Sequence, residues 1–209
     1  MPRTYPINLL VAGRKCVVVG GGPVAARKAE SLAEAGAKVL VVAPEIGPDM
    51  DRLAREKTVE VQVKTFDAVD LAGAMLVVAA TDSQEVNQAV FNAARSAGVL
   101  ANVVDQPEMC DFYVPSVITR GDLVFTISTG GAGPGVSKKI RQEFEAKIGD
   151  EYEILLLIVA ECRDGIRKKY PADTAARTEA MRRILDLDLV TMIREGRVQQ
   201  ARTEALSCI

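Results

Sequence analysis

The chain has 209 residues, 48% of them hydrophobic and 26% charged, with a formal net charge of −2. This is room for one or two globular domains, without the basic field that draws nucleic acid or the polybasic run that draws a membrane surface. There is no histidine, so acid–base chemistry falls to Asp, Glu, Lys, Tyr or Cys, and histidine-ligated metal sites are excluded.

Met1 to Leu10 lacks the charged-then-apolar pattern of a secretory signal. The apolar stretch Ile154 to Ala160 is far too short to span a bilayer, and none is longer. A cytoplasmic protein is expected. Cys16, Cys110, Cys162 and Cys208 are scattered and form no CxxC pair. They read as isolated thiols, not as a zinc site or a disulfide framework, and no metal site is expected.

Strand and helix patterns alternate along the first half. Lys15 to Gly20 is a β-branched run ending in glycines and predicts a buried parallel strand. Pro23 to Ala35 predicts an alanine-rich helix, and Lys38 to Ala43 a second buried strand closed by Pro44. A short helix is expected over Asp49 to Lys57. Thr58 to Thr65 sets Val59, Val61 and Val63 against polar residues, the pattern of a strand with one wet face. Met75 to Ala80 reads as the fourth strand. Ser83 to Ala97 follows as a helix with Val86, Val90, Ala93, Ala94 and Ala97 on one face, and Val99 to Val104 as the fifth strand. Such alternation implies a doubly wound parallel sheet.

The pattern changes near Pro115. Val114 to Ile118 and Leu123 to Ser128 predict two strands around the turn Thr119-Arg120-Gly121-Asp122. A glycine-rich loop, Thr129 to Gly135, leads into an amphipathic helix over Val136 to Ile148. Everything from Asp150 onward reads as helix, broken near Pro171 and Gly196. The expected division is 1–113, 114–149 and 150–209.

Gly20-Gly21-Gly22-Pro23-Val24-Ala25 fits G-x-G-x-x-A between the first strand and the first helix. Gly20 permits the tight turn, Gly22 lets backbone approach a pyrophosphate, and small Ala25 lets the helix pack closely. The exposed amides and the helix dipole then bind the anion. The bland alternative is a merely tight turn, but the placement favours an α/β Rossmann domain that binds a dinucleotide. After the second strand, Ala43-Pro44-Glu45 offers no acid at the tip, with Glu45 slightly beyond as the available substitute, and no arginine for a 2′-phosphate. NAD is therefore expected over NADP. Ligands in such sheets lie at the carboxyl ends of strands. Thr81 and Asp82 either flank the cofactor there, or Asp82 caps the next helix. Asp105 ends the fifth strand and is the candidate acid–base group. The alternative for it is an ordinary turn aspartate.

Val17-Val18-Val19-Gly20-Gly21-Gly22-Pro23-Val24-Ala25-Ala26-Arg27-Lys28 resembles the start of the precorrin-2 dehydrogenases, the siroheme synthase family. So do Ala79-Ala80-Thr81-Asp82, Asn102-Val103-Val104-Asp105, Phe112 with Pro115-Ser116, and Ile127-Ser128-Thr129-Gly130-Gly131. The resemblance covers about residues 5–150. It implies NAD-dependent oxidation of precorrin-2, a tetrapyrrole, to sirohydrochlorin. Some members also insert Fe(II), and others are fused to a methyltransferase for which this chain is too short. The family's catalytic aspartate falls on Asp105. Its cofactor contacts fall on Gly22, Pro23 and Val24, and on Pro44 and Glu45. Its phosphorylatable serine is Thr129 here, a departure from the pattern. Members are homodimers, joined through the part after the Rossmann domain, which makes 114–149 the expected dimerisation segment and 150–209 a helical C-terminal domain.

A tetrapyrrole carries many carboxylates, so the loop at Thr129, Gly130 and Gly131, followed by Lys138, Lys139 and Arg141, is the expected substrate-binding segment. The alternative for those cations is a solvated helix face. Two competing functions remain: a non-catalytic NAD-sensing regulatory module, and a chelatase or tetrapyrrole carrier without redox chemistry. Asp105 argues against the first and the intact glycine motif against the second.

Overall fold

In the computed structural model, which describes residues 4–209, five strands form one parallel sheet. They are β1 (Lys15–Val19), β2 (Lys38–Ala43), β3 (Glu60–Val63), β4 (Ala74–Ala79) and β5 (Leu100–Val103), in the order β3-β2-β1-β4-β5. Helices α1 (Pro23–Glu34), α2 (Pro48–Arg55) and α3 (Gln84–Ala97) make three of the connections, and a single 3-10 turn at Ala68–Leu71 makes the one from β3 to β4. Each predicted element of this half is present, with ends shifted by no more than two residues.

Pleating divides the apolar strands between two faces. Cys16 and Val18 pack with Ala25, Ala26 and Ala29 of α1 and Met50 and Leu53 of α2. Val17 and Val19 pack on the opposite face with Val90 and Ala94 of α3. Cover on both faces is why β1, β2 and β4 read as unbroken apolar runs. On β3 the alternation fades, from buried Val59 through half-buried Val61 to Val63, which is 66% exposed. That strand is the sheet's edge, and its end outruns the cover.

The strand order reverses between β1 and β4, which lie side by side with Val19 opposite Ala79. The crossovers leaving the two strands run to opposite faces, which opens a crevice above their carboxyl ends. Backbone closes its floor. Gly20 has φ +129°, and a Cβ there would lie 2.2 Å from the Ala80 carbonyl oxygen. A Cβ on Gly21 would lie 1.9 Å from the Glu45 carbonyl oxygen. Beyond β5 the chain doubles back: the Ala101 amide donates to Asp111 Oδ2 (2.9 Å), and Asn102 Nδ2 donates to the Phe112 carbonyl (2.8 Å).

The chain divides into two compact units between Val114 and Pro115. In the second unit, β6 (Ser116–Arg120) and β7 (Leu123–Ile127) form an antiparallel hairpin. Helix α4 (Pro134–Glu145) packs on it, with the Phe125 and Phe144 ring centroids 5.3 Å apart. Helices α5 (Glu151–Lys169), α6 (Thr174–Leu185), α7 (Leu189–Arg194) and α8 (Val198–Ser207) share a core that includes Cys162, Ile184 and Ala201. The breaks expected near Pro171 and Gly196 are present. A further break at Asp186–Asp188 carries neither Pro nor Gly. There the Asp188 carboxylate accepts the Thr191 amide (3.3 Å) and starts α7 as an N-cap. No helix among the described residues is long and apolar enough to cross a membrane.

The two close approaches make a stability prediction. Gly21→Ala and Gly20→Ala should each destabilise the protein by about 2–5 kcal/mol, because backbone must move to admit the methyl group. Chemical denaturation of the unliganded protein measures this. A loss below about 1 kcal/mol would contradict the packing described.

Candidate active site

The glycine loop delivers the chain into α1 with Gly22 as N-cap and Pro23 in the first turn, and no side chain caps the helix. Proline suits that position because it has no amide to leave unsatisfied. The Val24 and Ala25 amides, also in the first turn, have no intrahelical acceptor. Ala25 is fully buried and seats the helix against Gly20. Gly22 differs from its neighbours: it is exposed, and a Cβ on it would meet nothing within 4 Å. Gly20 and Gly21 therefore serve internal packing, whereas Gly22 keeps open the space at the helix start. That open, uncapped helix start fits the pyrophosphate of a dinucleotide, held by backbone donors and the helix dipole.

The neighbouring strand ends complete the rim. Pro44 and Glu45 are exposed after β2, and the Gly47 amide donates to the Gly21 carbonyl (2.9 Å), tying this loop to the glycine loop. After β4, Thr81 is half-buried and Asp82 exposed. Asp82 does not cap α3, as one reading had it. Ser83 does, its Oγ accepting the Val86 amide at 3.3 Å. The Thr81 hydroxyl lies 2.8 Å from Asn87 Oδ1, and Asn87 Nδ2 donates to the Thr81 carbonyl at 3.0 Å.

Asp105 follows β5, anchored through the Val104 amide, which donates to the Ala79 carbonyl at 2.9 Å. The Gln106 amide donates to the Val103 carbonyl (3.2 Å), so Asp105 is the third residue of a tight turn, with φ +61°. Turns with positive φ at that place favour Gly or Asn. The exposed carboxylate lines a cavity of about 580 Å³ together with Gln84 and Gln88 of α3. On the α1 side, half-buried Lys28 is pulled below the usual lysine pKa by burial and by Arg27, with Cys110 pulling the other way. Burial in turn raises the Cys110 thiol.

Gly20 to Ala25, Pro44, Glu45, Thr81, Asp82 and Asp105 thus share the carboxyl edge of one sheet. The remaining candidates belong to the second unit, between β7 and α4. Thr129 Oγ1 accepts the Gly133 amide (3.3 Å), and Gly130 and Gly131 are left-handed, with φ +61° and +86°. Lys138 is exposed, whereas Arg141 is ion-paired with Glu145 one turn further on. Among the described residues, no group of three or more His, Cys, Asp or Glu is placed to hold a metal ion.

Three residues of the sheet edge escaped the sequence reading. Gly21 falls on a free position of the motif. Lys28 reads as one more charged helix residue. Asn87 had a legible signal: it precedes Val90 and Ala94 by three and seven positions, so an amide occupies the buried stripe of α3.

Comparison with known proteins agrees with this geometry. A siroheme synthase of Methylobacillus flagellatus is 39% identical over 167 residues, covering 80% of this chain and 36% of that protein. One from Methylococcus capsulatus is 36% identical over 196 residues, covering 94% of this chain and 41% of that protein. The chain thus spans about two-fifths of the length of these relatives. Among solved structures, SirC, titled a precorrin-2 dehydrogenase, superposes with a TM-score of 0.77 at 24% identity, covering 96% of this chain and all of that one. It shares the fold. Residues 7–116 match the family model described as "Putative NAD(P)-binding", and with that match over more than half its length the chain belongs to this Rossmann-fold, NAD(P)-binding family.

Proposed function

We propose that the chain oxidises precorrin-2 to sirohydrochlorin in the cytoplasm, with NAD as cofactor. The observation that carries the reading is Asp105, an aspartate kept in a left-handed turn conformation on the rim of a cavity at the cofactor edge. An NAD-sensing module has no use for it. The siroheme synthase relatives supply the substrate class.

NAD, when bound, supplies the hydride acceptor. The uncapped start of α1 and Gly22 hold its pyrophosphate, and the loops at Pro44–Glu45 and Thr81–Asp82 flank it. No cation stands beyond Val42 to prefer a 2′-phosphate. Dehydrogenation also releases a proton from the substrate. With no histidine in the chain, the Asp105 carboxylate takes that proton or orients the group that loses it. Thr129, Gly130 and Gly131 with Lys138 are the proposed contacts to substrate carboxylates. Arg141 joins them only by leaving Glu145.

Two variants test the site. Gly22→Ala should keep the melting temperature, because its Cβ enters open space, yet weaken NAD binding by about tenfold or more, because the methyl group occupies the anion's approach. Calorimetry with NAD and NADP reads both the loss and the preference. Unchanged NAD affinity would move the cofactor elsewhere. Asp105→Asn should be as stable as the parent or more so, since Asn tolerates positive φ well. It should lower kcat for precorrin-2 oxidation by about a hundredfold or more. Asp105→Ala is the poorer probe, because alanine is strained at φ +61°. Single-turnover NADH formation measures the effect, and a parallel reaction with sirohydrochlorin and Fe(II) reports chelation. A parent protein that binds NAD but never reduces it with precorrin-2 would leave the sensing module as the reading.

The proposed quaternary state is a homodimer joined through 114–149. The hairpin register places Val117 opposite Thr126 and Thr119 opposite Val124, and all four side chains are exposed on one face. Such a β-branched apolar ribbon suits burial against another copy. Val124→Lys should shift sedimentation from dimer to monomer at micromolar concentration, with α-helical content retained. A monomeric parent protein would remove the proposal.

A further inference from the structure

Asn87 is 3% exposed and gives both functions of its amide to one residue. Its orientation is fixed by chemistry. A carbonyl oxygen only accepts, so Nδ2 must face the Thr81 carbonyl, and Oδ1 must face the Thr81 hydroxyl. That hydroxyl has one proton. Both acceptors within its reach, Asn87 Oδ1 at 2.8 Å and the Ser83 carbonyl at 3.1 Å, are internal. One of its lone pairs takes the Ser83 amide at 3.3 Å. What Thr81 Oγ1 retains for a ligand is a lone pair. Such an oxygen accepts from a donor and repels a phosphate.

Its place in the fold names the donor. The loop carrying Thr81 begins at Ala80, against which Gly20 is packed. A dinucleotide lies across the switch point, with its adenosine ribose toward the tip of β2, so the strand on the other side of β1 serves the other half. We propose that Asn87 is a positioning residue that makes Thr81 a fixed acceptor for a donor of the nicotinamide–ribose half of NAD. The proposal rests on the dinucleotide reading of the glycine loop.

The test compares NAD with ADP, which carries the adenosine and the pyrophosphate but lacks the nicotinamide half. Calorimetry gives both affinities, and thermal melting without ligand reports folding. Asn87→Ala should weaken NAD about fivefold or more while ADP stays within about twofold. Thr81→Val should do the same, the double variant should be no weaker than the worse single one, and Thr81→Ser should recover most of what Thr81→Val loses. A merely structural role for Asn87 lowers both ligands by one factor. That result, or NAD affinity unchanged in folded Thr81→Val, overturns the proposal. If Asn87→Ala does not fold, Thr81→Val against Thr81→Ser decides alone. A parent protein that binds neither ADP nor NAD would instead overturn the cofactor reading, and the proposal with it.

Discussion

Backbone packs against backbone at the carboxyl edge of the sheet, and the rest of the site depends on that contact. Gly20 lies against the Ala80 carbonyl and Gly21 against the Glu45 carbonyl, closer than any Cβ allows. Hydrogen bonds hold the same junction: the Gly20 amide donates to the Val42 carbonyl at 3.0 Å, and the Gly47 amide to the Gly21 carbonyl at 2.9 Å. Three strand ends are thereby locked into one rim without a side chain between them. Because packing consumes Gly20 and Gly21, the turn into α1 is tight, and the helix starts at exposed Gly22, Pro23 and Val24 with no side chain capping it. An anion site follows from sheet packing, and no charged side chain is needed to make it.

The polar groups along this rim divide by whether the protein has already engaged them. The Thr81 proton goes to an internal acceptor, and Asn87 uses both its amide nitrogen and its amide oxygen on Thr81. Asp105 belongs to the other class: its carboxylate is exposed beside a cavity, on a backbone conformation of positive φ that Gly or Asn would hold with less strain. A sequence shaped for stability alone would replace it, which makes it a functional candidate on grounds independent of any family likeness.

Strand periodicity and helix punctuation were enough to recover the five-strand unit, because its parallel strands are buried on both faces and so carry long apolar runs. Where burial falls on one face only, the reading weakened, as at Val63 on the edge strand. The break before α7 was missed because Asp188 makes it by capping alone, with neither Pro nor Gly to mark it. In the site, the motif located Gly20, Gly22 and Ala25 but was silent on Gly21, whose constraint comes from a loop more than twenty residues away. Positive φ at Asp105 depends on a hydrogen bond from Gln106 to Val103 that no local pattern announces. Asn87 was legible only as a polar intruder in an apolar stripe, and its partner emerges only when β4 and α3 are joined.

The hairpin of the second unit raises a different constraint. Two strands alone bury too little to be stable in water, and α4 covers just one face, through contacts such as Phe125 with Phe144. The other face exposes Val117 and Val124 in alternation with Thr119 and Thr126. β7 runs directly into the Thr129 loop, which turns through left-handed Gly130 and Gly131 and is closed by the Gly133 amide on Thr129 Oγ1. Under the proposed dimer, covering the hairpin would stiffen the strand from which that loop departs. Assembly and the proposed substrate contacts would then be two consequences of burying one ribbon.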